Sequence, residues 1–266
     1  MITIFNQSAA DYFKIEALSA SGAKLLNRSA AHYLHNKANP AKPSAAQMFG
    51  TLVHSLVLEP ETVNALYAAS PKFDKRTNAG KAGFAEFEAA NAGKTIIDLD
   101  DFQRAQRCAT AVWDQVTAEV LLENASKREV TVLWHQHGVQ CKARIDAISG
   151  VNVLDLKTCR DASPRGFARA AAGYCYHSQT AHYLSAAAAA GFSPDPMHFL
   201  FIAVESVEPF NVAVYELTHA DIVAGRALMA SAAEVYKTLD DPEAWRGYPD
   251  GVNTIALPGS GAYDAE

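Results

Sequence analysis

The 266-residue sequence predicts a single α/β domain in which a mixed, twisted sheet is flanked by helices and preceded by a helical N-terminal region. Three observations predict it. Hydrophobic residues make up 49% of the chain, enough for one substantial core. Apolar residues recur at helical spacing over the first part of the chain, and at Glu129 the period falls from about 3.6 to about 2. From there alternating and helical segments succeed one another as β-β-β-α-β-β-α. The single domain thus comprises a mainly helical part over 1–125, a core over 126–240 and a Pro/Gly-rich tail over 241–266.

Each element has its signal. Ser21 is a cap for a helix through about Asn36, with Leu25, Leu26, Ala30, Tyr33 and Leu34 near helical spacing, and Pro40 and Pro43 interrupt the chain after it. Ser44-Ala45-Ala46-Gln47 is a capping-box pattern that opens a helix to about Leu58, stopped by Pro60. That helix carries Gly50 and His54 one turn apart on one face. Residues 71–83 hold Lys72, Lys75, Arg76 and Lys81 against Asp74 among Pro, Asn and Gly, and read as a basic surface loop. Helical pattern returns over Phe84 to Asn91 and, after Asp98, through Phe102, Cys108, Val112 and Val120. Three strands come next, Glu129 to Gln136, Val139 to Ile148 and Val151 to Lys157, joined by His137-Gly138 and Ser149-Gly150 as hairpin turns. A helical stretch from about Ser163 to Ala190, interrupted near Gly173, leads to strands over Met197 to Glu205 and Phe210 to Glu216, then a helix over Ala220 to Leu239.

Charge and cysteine usage exclude several classes. Lys+Arg 23 against Asp+Glu 29 gives −6, so an anionic ligand must be held by a local patch. Residues 141–170 carry six basic and three acidic residues, whereas 195–266 carry three basic and twelve acidic. The acidity is therefore concentrated at the C-terminal end. The longest apolar runs, Ser185 to Gly191 and Phe199 to Val204, fall far short of the roughly 20 residues of a membrane span. The N-terminus lacks the features of a secretory signal, and the expectation is a cytoplasmic protein with no membrane partner. Cys108, Cys141, Cys159 and Cys175 contain no C-x-x-C pair, which argues for ordinary reduced thiols. There is no G-x-S-x-G elbow, no complete P-loop and no dinucleotide fingerprint, since Gly259-Ser260-Gly261 does not follow a strand.

Alternation in the second strand groups Val139, Cys141, Ala143, Ile145 and Ala147 on one face and Gln140, Lys142, Arg144 and Asp146 on the other. In the third strand it groups Val151, Val153, Asp155 and Lys157. Asp146 and Asp155, with the Leu156 carbonyl, are hard oxygen ligands suited to Mg²⁺, and Lys157 points to the same side as Asp155. A lysine there can position or help deprotonate a bound water, or offset phosphate charge, which is the chemistry of phosphodiester hydrolysis. A structural Asp-Lys pair at a strand end has the same lettering. Gln179 and Tyr183, four apart on a helix, can hold the lysine, a water or a phosphate, or simply pack with their polar tips exposed. His54 is either a packed core histidine or a ligand, and Gly50 admits a strand, a DNA backbone or another helix.

Taken in order, Gly50-Thr51-Leu52-Val53-His54, Glu129, Arg144-Ile145-Asp146, Asp155-Leu156-Lys157-Thr158 and Gln179-Thr180-Ala181-His182-Tyr183 resemble the PD-(D/E)XK nuclease superfamily. More closely, they resemble its RecE-type (exodeoxyribonuclease VIII) branch of phage-derived recombination exonucleases, over about Ser19 to Pro258. Lys72 to Thr77, Asp161 to Pro164, Phe201 to Glu205 and Trp245 to Tyr248 belong to the same resemblance. It implies a Mg²⁺-dependent exonuclease, with Mn²⁺ substituting, that degrades linear duplex DNA from the 5′ end and leaves a 3′ single strand for a RecT-like annealing protein. By matching positions it implies Asp146, Asp155 and His54 as metal ligands, Lys157 as the catalytic lysine, and Glu129 as an acid binding metal directly or through water. Gln179 and Tyr183 match its Q-x-x-x-Y element. Asp155 stands where many superfamily members have Glu, and Ile145 replaces the usual proline. The resemblance also implies a bacterial or phage-encoded homo-oligomer, a tetrameric ring threading DNA. Lys75, Arg76, Lys81 and Arg144 are then candidate DNA contacts, and Arg160 or Arg165 a candidate 5′-phosphate contact. The alternatives are an endonuclease, an exonuclease using the four cysteines for an iron–sulfur cluster, and a non-catalytic module that binds DNA ends or the annealing protein.

Overall fold

The computed structural model describes residues 3–192, 197–241, 245, 247–248 and 250–254. Arg246, Gly259-Ser260-Gly261 and most of the expected tail lie outside them.

The chain opens with β1 (Thr3–Asn6), α1 (Ala9–Lys14), α2 (Ala20–Arg28), α3 (Ala30–Ala38) and α4 (Ala45–Leu58). The expected single helix to Asn36 is two, because Ser29 is fully extended (φ −178°, ψ 158°) and its side chain caps α3 through the His32 N–H. Ser19, two residues before the expected Ser21, caps α2. The Ser44–Gln47 capping box of α4 forms in both directions. Next come α5 (Val63–Leu66), β2 (Tyr67–Ser70), α6 (Asn78–Ala90), β3 (Thr95–Asp98), α7 (Leu99–Asp114) and α8 (Val116–Glu123). The expected basic loop thus ends at Asn78, where Thr77 caps α6, and Lys81 is helical. A small parallel sheet of β2 and β3 was not anticipated.

The core comprises β4 (Ala125–Gln136), β5 (Val139–Ser149), β6 (Asn152–Cys159), α9 (Pro164–Tyr174), α10 (Tyr176–Ala189), β7 (His198–Glu205), β8 (Val212–Glu216) and α11 (His219–Lys237). This is the predicted order. The break expected near Gly173 falls at Cys175, in the left-handed region (φ 59°). The β4–β5 hairpin turns at His137-Gly138, both with positive φ, whereas the second turns at Gly150-Val151, since Ser149 already pairs with Asn152. The last strand starts at Val212 because Phe210 has φ 59°.

The sheet has six strands in the order β1-β4-β5-β6-β7-β8, mixed because β6 and β7 run parallel and the other pairs antiparallel. Helices cover both faces. One core lies between the sheet and α2, α9, α10 and α11, with Phe199, Phe201, Ile145, Trp134 and Met229; the other lies between the sheet and α4, α7 and α8, with Leu52, Val53, Leu154, Leu156 and Ile202. In β7 the alternation is regular, Phe199, Phe201 and Ala203 facing the first core and Ile202 and Val204 the second.

In β5 it is not, which corrects the expected face assignment. Cys141, Ala143 and Ile145 face the first core, but Ala147 joins the second. β4 changes phase at the same rung: Val130 faces the first core, while Arg128, paired with Ala147, donates to the Leu58 and Leu122 carbonyls on the second side. The residue between is Glu129, with φ 52°, opposite Asp146. A left-handed residue inside a strand bends it and redirects its side chains. Beyond this rung β5 and β6 part, their pairing being confined to residues 147–149 and 152–154. The open edge of β5 is taken by the chain before α2, where Leu18 pairs with Gln140 and Lys142. Lys142 is itself buried, against the expected charged face, and donates from Nζ to the Tyr12 and Ile15 carbonyls at 3.0 and 2.7 Å.

Candidate functional site

The site is built in the fork between β5 and β6. Where β6 would continue its ladder to β5, the Asp146 carboxylate stands in, its Oδ2 accepting the Leu156 N–H at 2.8 Å. The carbonyl of the same residue accepts from His54 Nε2 at 2.6 Å. α4 brings His54 there because Gly50, one turn earlier, lets the helix close on β6; a Cβ at Gly50 would lie 3.0 Å from Thr158 Oγ1. Of the readings open for Gly50, the structure shows the approach of a strand.

A carbonyl can only accept, so His54 Nε2 carries a proton, and Nδ1 is the ring atom left to face a cation. Nδ1 lies 3.5 Å from Asp146 Oδ2 across a small gap. Glu129 closes the gap. His54, Glu129 and Asp146 each offer a ligand atom, all within 4.8 Å of one another. Mixed nitrogen and carboxylate donors at that separation fit a divalent cation. The charge balance fits as well. Burial, reinforced by Asp146 and opposed by Arg144, pushes the Glu129 carboxyl up to about 8, and burial pushes Asp155 up to about 6 against the pull of Lys157. The carboxylates here exceed the cations that neutralise them.

Asp155 is 1% exposed and lies on the α10 side of β6. Its Oδ1 accepts from Gln179 Nε2 at 2.7 Å, and Lys157 Nζ is 2.5 Å from Oδ2. Burial disfavours the Lys157 ammonium, but Asp155 and Asp146 outweigh it and hold the lysine above its ordinary value. Tyr183, one turn beyond Gln179, is raised well above the usual phenol range by burial and packs against Phe199. The predicted set of Asp146, Asp155, Lys157, Glu129, His54, Gln179 and Tyr183 therefore converges on one place. The ligand grouping differs in emphasis: Glu129 joins His54 and Asp146, Asp155 Oδ1 is taken by Gln179 while Oδ2 lies against Lys157 Nζ without a hydrogen bond, and the Leu156 carbonyl is shared with His54.

The basic residues divide. Arg144 lies 2.9 Å from Glu129 Oε2 and 3.7 Å from Glu59 Oε2, so its guanidinium is paired with carboxylates while the side chain stays about one-fifth exposed. Arg160 and Arg165 are exposed just after β6. Lys75 lies over the Phe84 ring and Arg76 pairs with Asp74, around the small sheet and α6. Sequence reasoning missed Glu59, which comes after α4, five residues beyond His54, and Tyr176, whose ring centroid is 5.1 Å from Lys157 Nζ. The position of Tyr176, one turn before Gln179, was the available signal. Cys108 and Cys141 lie in different cores, on opposite faces of the sheet, which separates them as ligands of one iron–sulfur cluster.

Residues 19–257 match the family model described as a PDDEXK-like domain of unknown function (DUF3799). A solved structure from Eubacterium rectale, named "Putative exonuclease", superposes with a TM-score of 0.63 at 15% identity, covering 90% of this chain and 88% of that one. A second, of SSO0001, reaches a TM-score of only 0.28 at 17% identity over 67% of this chain and 84% of that one, too low to bear on the fold. No curated protein sequence matches the chain. Among the described residues no helix is long and apolar enough to cross a membrane. The match spans nearly the whole chain, its fork of strands carries the acidic and lysine residues in the order the superfamily requires, and the chain belongs to the PDDEXK-like domain family, within the PD-(D/E)XK nuclease superfamily.

Proposed function

We propose that the chain is a Mg²⁺-dependent exonuclease of the RecE type, which also accepts Mn²⁺ and degrades linear double-stranded DNA 5′-to-3′ to leave 3′ overhangs for recombination by strand annealing. The observation that carries nuclease chemistry is the convergence of Asp146, Asp155 and Lys157 at the fork of β5 and β6. The exonuclease reading rests on the ordered motifs and agrees with the name of the Eubacterium rectale structure. A RecT-like annealing protein and a homotetrameric ring complete the proposal; a ring would let an acidic chain enclose DNA, holding it by topology as well as by charge.

A divalent ion held by His54, Glu129 and Asp146 would supply an activated water and neutralise charge on the scissile phosphate. The chain's own residues do the rest. Gln179 fixes the Asp155 carboxylate, which in turn fixes Lys157 Nζ. Lys157, held as an ammonium, places a positive charge where the phosphate gains negative charge, and can orient the attacking water. Arg144 anchors Glu129 through an ion pair at 2.9 Å. Imidazole beside carboxylates accommodates Mn²⁺ as readily as Mg²⁺.

The test is digestion of a linear duplex labelled at its 5′ or 3′ ends, with Mg²⁺, Mn²⁺ or EDTA, by wild type and Lys157→Ala. Early release of the 5′ label, abolished by EDTA and by the substitution, is expected. Release from the 3′ end first would overturn the polarity; cutting of closed circles would make the protein an endonuclease. No cleavage under either metal would leave a DNA-end or annealing-protein binding module.

A further inference from the structure

Beside the catalytic lysine runs a series of aromatic rings that the proposed mechanism does not use. Phe201 is buried in the first core, Tyr176 lies nearly parallel to it at 5.4 Å and 23°, and Tyr174 lies nearly parallel to Tyr176 at 5.7 Å and 22°. Tyr174 is 62% exposed. In a continuous helix residues two apart point about 200° from each other, so Tyr174 and Tyr176 could not stack. They meet because Cys175 between them is held left-handed at φ 59°, a conformation that costs free energy for a residue with a Cβ and persists only when its surroundings impose it. The same left-handed residue ends α9 and begins α10, and the turn it makes leaves the Tyr174 ring in water. Tyr176 packs against the first core, whereas Tyr174 stands outside it.

The place of this ring indicates its occupant. Tyr176 is 5.1 Å from Lys157 Nζ, so two short steps connect the catalytic ammonium to the exposed ring, a span of at most roughly three stacked nucleotides at about 3.4 Å each. A cation accompanies it: Lys24, exposed on α2, lies 5.2 Å from the Tyr174 centroid and donates to the Gly173 carbonyl. A largely exposed ring with an ammonium over it is a pairing suited to single-stranded nucleic acid, a base taking the place of the ammonium on the ring and the lysine turning to a phosphate. Bases within a duplex have both faces covered, so the ring selects an unpaired one.

We propose that Tyr174 is a stacking subsite for an unpaired nucleobase of the strand being degraded, within three nucleotides of the scissile phosphate, with Lys24 contacting the adjoining backbone. This rests on the nuclease reading, which it deepens by naming the state of the DNA the site engages: an end already frayed. Stacking is tolerant of sequence, as a non-specific exonuclease requires.

The experiment measures binding of duplex oligonucleotides to the full chain by fluorescence anisotropy in Ca²⁺, with a single abasic nucleotide placed at each of the terminal positions in turn. Wild type is expected to lose affinity at one or two adjacent positions. Tyr174→Ala is expected to bind intact DNA about 5- to 100-fold more weakly and to be indifferent to abasic substitution at those same positions, while Tyr174→Trp behaves as wild type. Equal affinity of Tyr174→Ala and wild type, or a loss that is the same wherever the abasic nucleotide sits, overturns the subsite. So does a loss that accompanies a change in sedimentation, which would make Tyr174 a contact between copies of the chain. A protein with the Tyr174 signature that cuts no DNA in Mg²⁺ or Mn²⁺ retains the subsite and loses the nuclease reading. One that binds no DNA loses both.

Discussion

Gly225→Ala is the substitution with the sharpest consequence. Gly225 lies on α11 where that helix crosses the first turn of α10, and a Cβ there would overlap the carbonyl oxygen and carbon of His177 and sit 3.0 Å from Ser178 N. These are backbone atoms, which cannot rotate away, so the helices must separate. Overpacking of this kind costs about 1–3 kcal/mol, and a backbone neighbour places it at the upper end, near 3 kcal/mol. At about 2 °C per kcal/mol for a chain of this size, Tm falls by roughly 6 °C. Gln179, the donor to Asp155, is two residues past His177, so moving this turn of α10 moves the group that orients the Asp155 carboxylate. Activity is therefore expected to fall about 10-fold or more even below the melting transition. Gly173→Ala is the control. It is also a helical glycine, a Cβ there meets nothing within 4 Å, and the gain in helix propensity, up to about 1 kcal/mol, raises Tm by about 2 °C with activity unchanged. Differential scanning fluorimetry with a nuclease assay on both variants decides the matter. If Gly225→Ala melts with wild type, the helices do not meet at van der Waals contact as described, and the link from this crossing to the site fails.

Other expectations come from particular contacts. Gln179→Ala frees Asp155 Oδ1 and should lower nuclease turnover roughly 10- to 100-fold with little change in Tm. Lys142→Met removes the donor to the Tyr12 and Ile15 carbonyls and should cost about 2 kcal/mol or more in urea denaturation. His182 is 1% exposed, packs against Trp134 and donates to the Lys142 carbonyl; burial, opposed by that bond, pushes its imidazole down to about 4. The unfolded chain takes up this proton near pH 6.5, so the contribution of His182 is intact above that pH and is lost as pH falls toward 4, by up to about 3 kcal/mol. Comparing unfolding free energies of wild type and His182→Asn at pH 7.5 and pH 5 isolates it; parallel losses in the two proteins would show that His182 contributes nothing to acid sensitivity.

The legible parts of the molecule were those with local causes. The β4–β5 and β5–β6 hairpins join neighbours in the sequence, and strict alternation over Val130 to Trp134 and Cys141 to Ile145 reports one buried face. Asp155 and Lys157 stood out because charged residues are rarely placed in an apolar strand without a partner. The parts that could not be read depend on distant or conformational causes. β1 is four residues long and pairs with residues more than a hundred positions away, so no local pattern announces it. The change of phase at Glu129 and Asp146 is carried by a positive φ at a residue that is not glycine, which leaves no mark in the composition. Arg144 was legible as a site residue but not as the partner of two acids, because Glu59, the second of them, arrives on a different element.

The peptide group of Leu156 has a wider consequence. Its N–H is held by Asp146 from β5 and its carbonyl by His54 from α4, while Asp155 and Lys157 flank it on its own strand. One rigid plane thus serves as a common datum from which four functional side chains on three elements take their positions. The Leu156 side chain faces the second core and adds nothing to the chemistry, so another apolar residue there should preserve it. Inserting or deleting one residue in β6 is a different kind of change. It would shift the datum relative to every partner at once, so this site tolerates drift in lettering far better than drift in spacing.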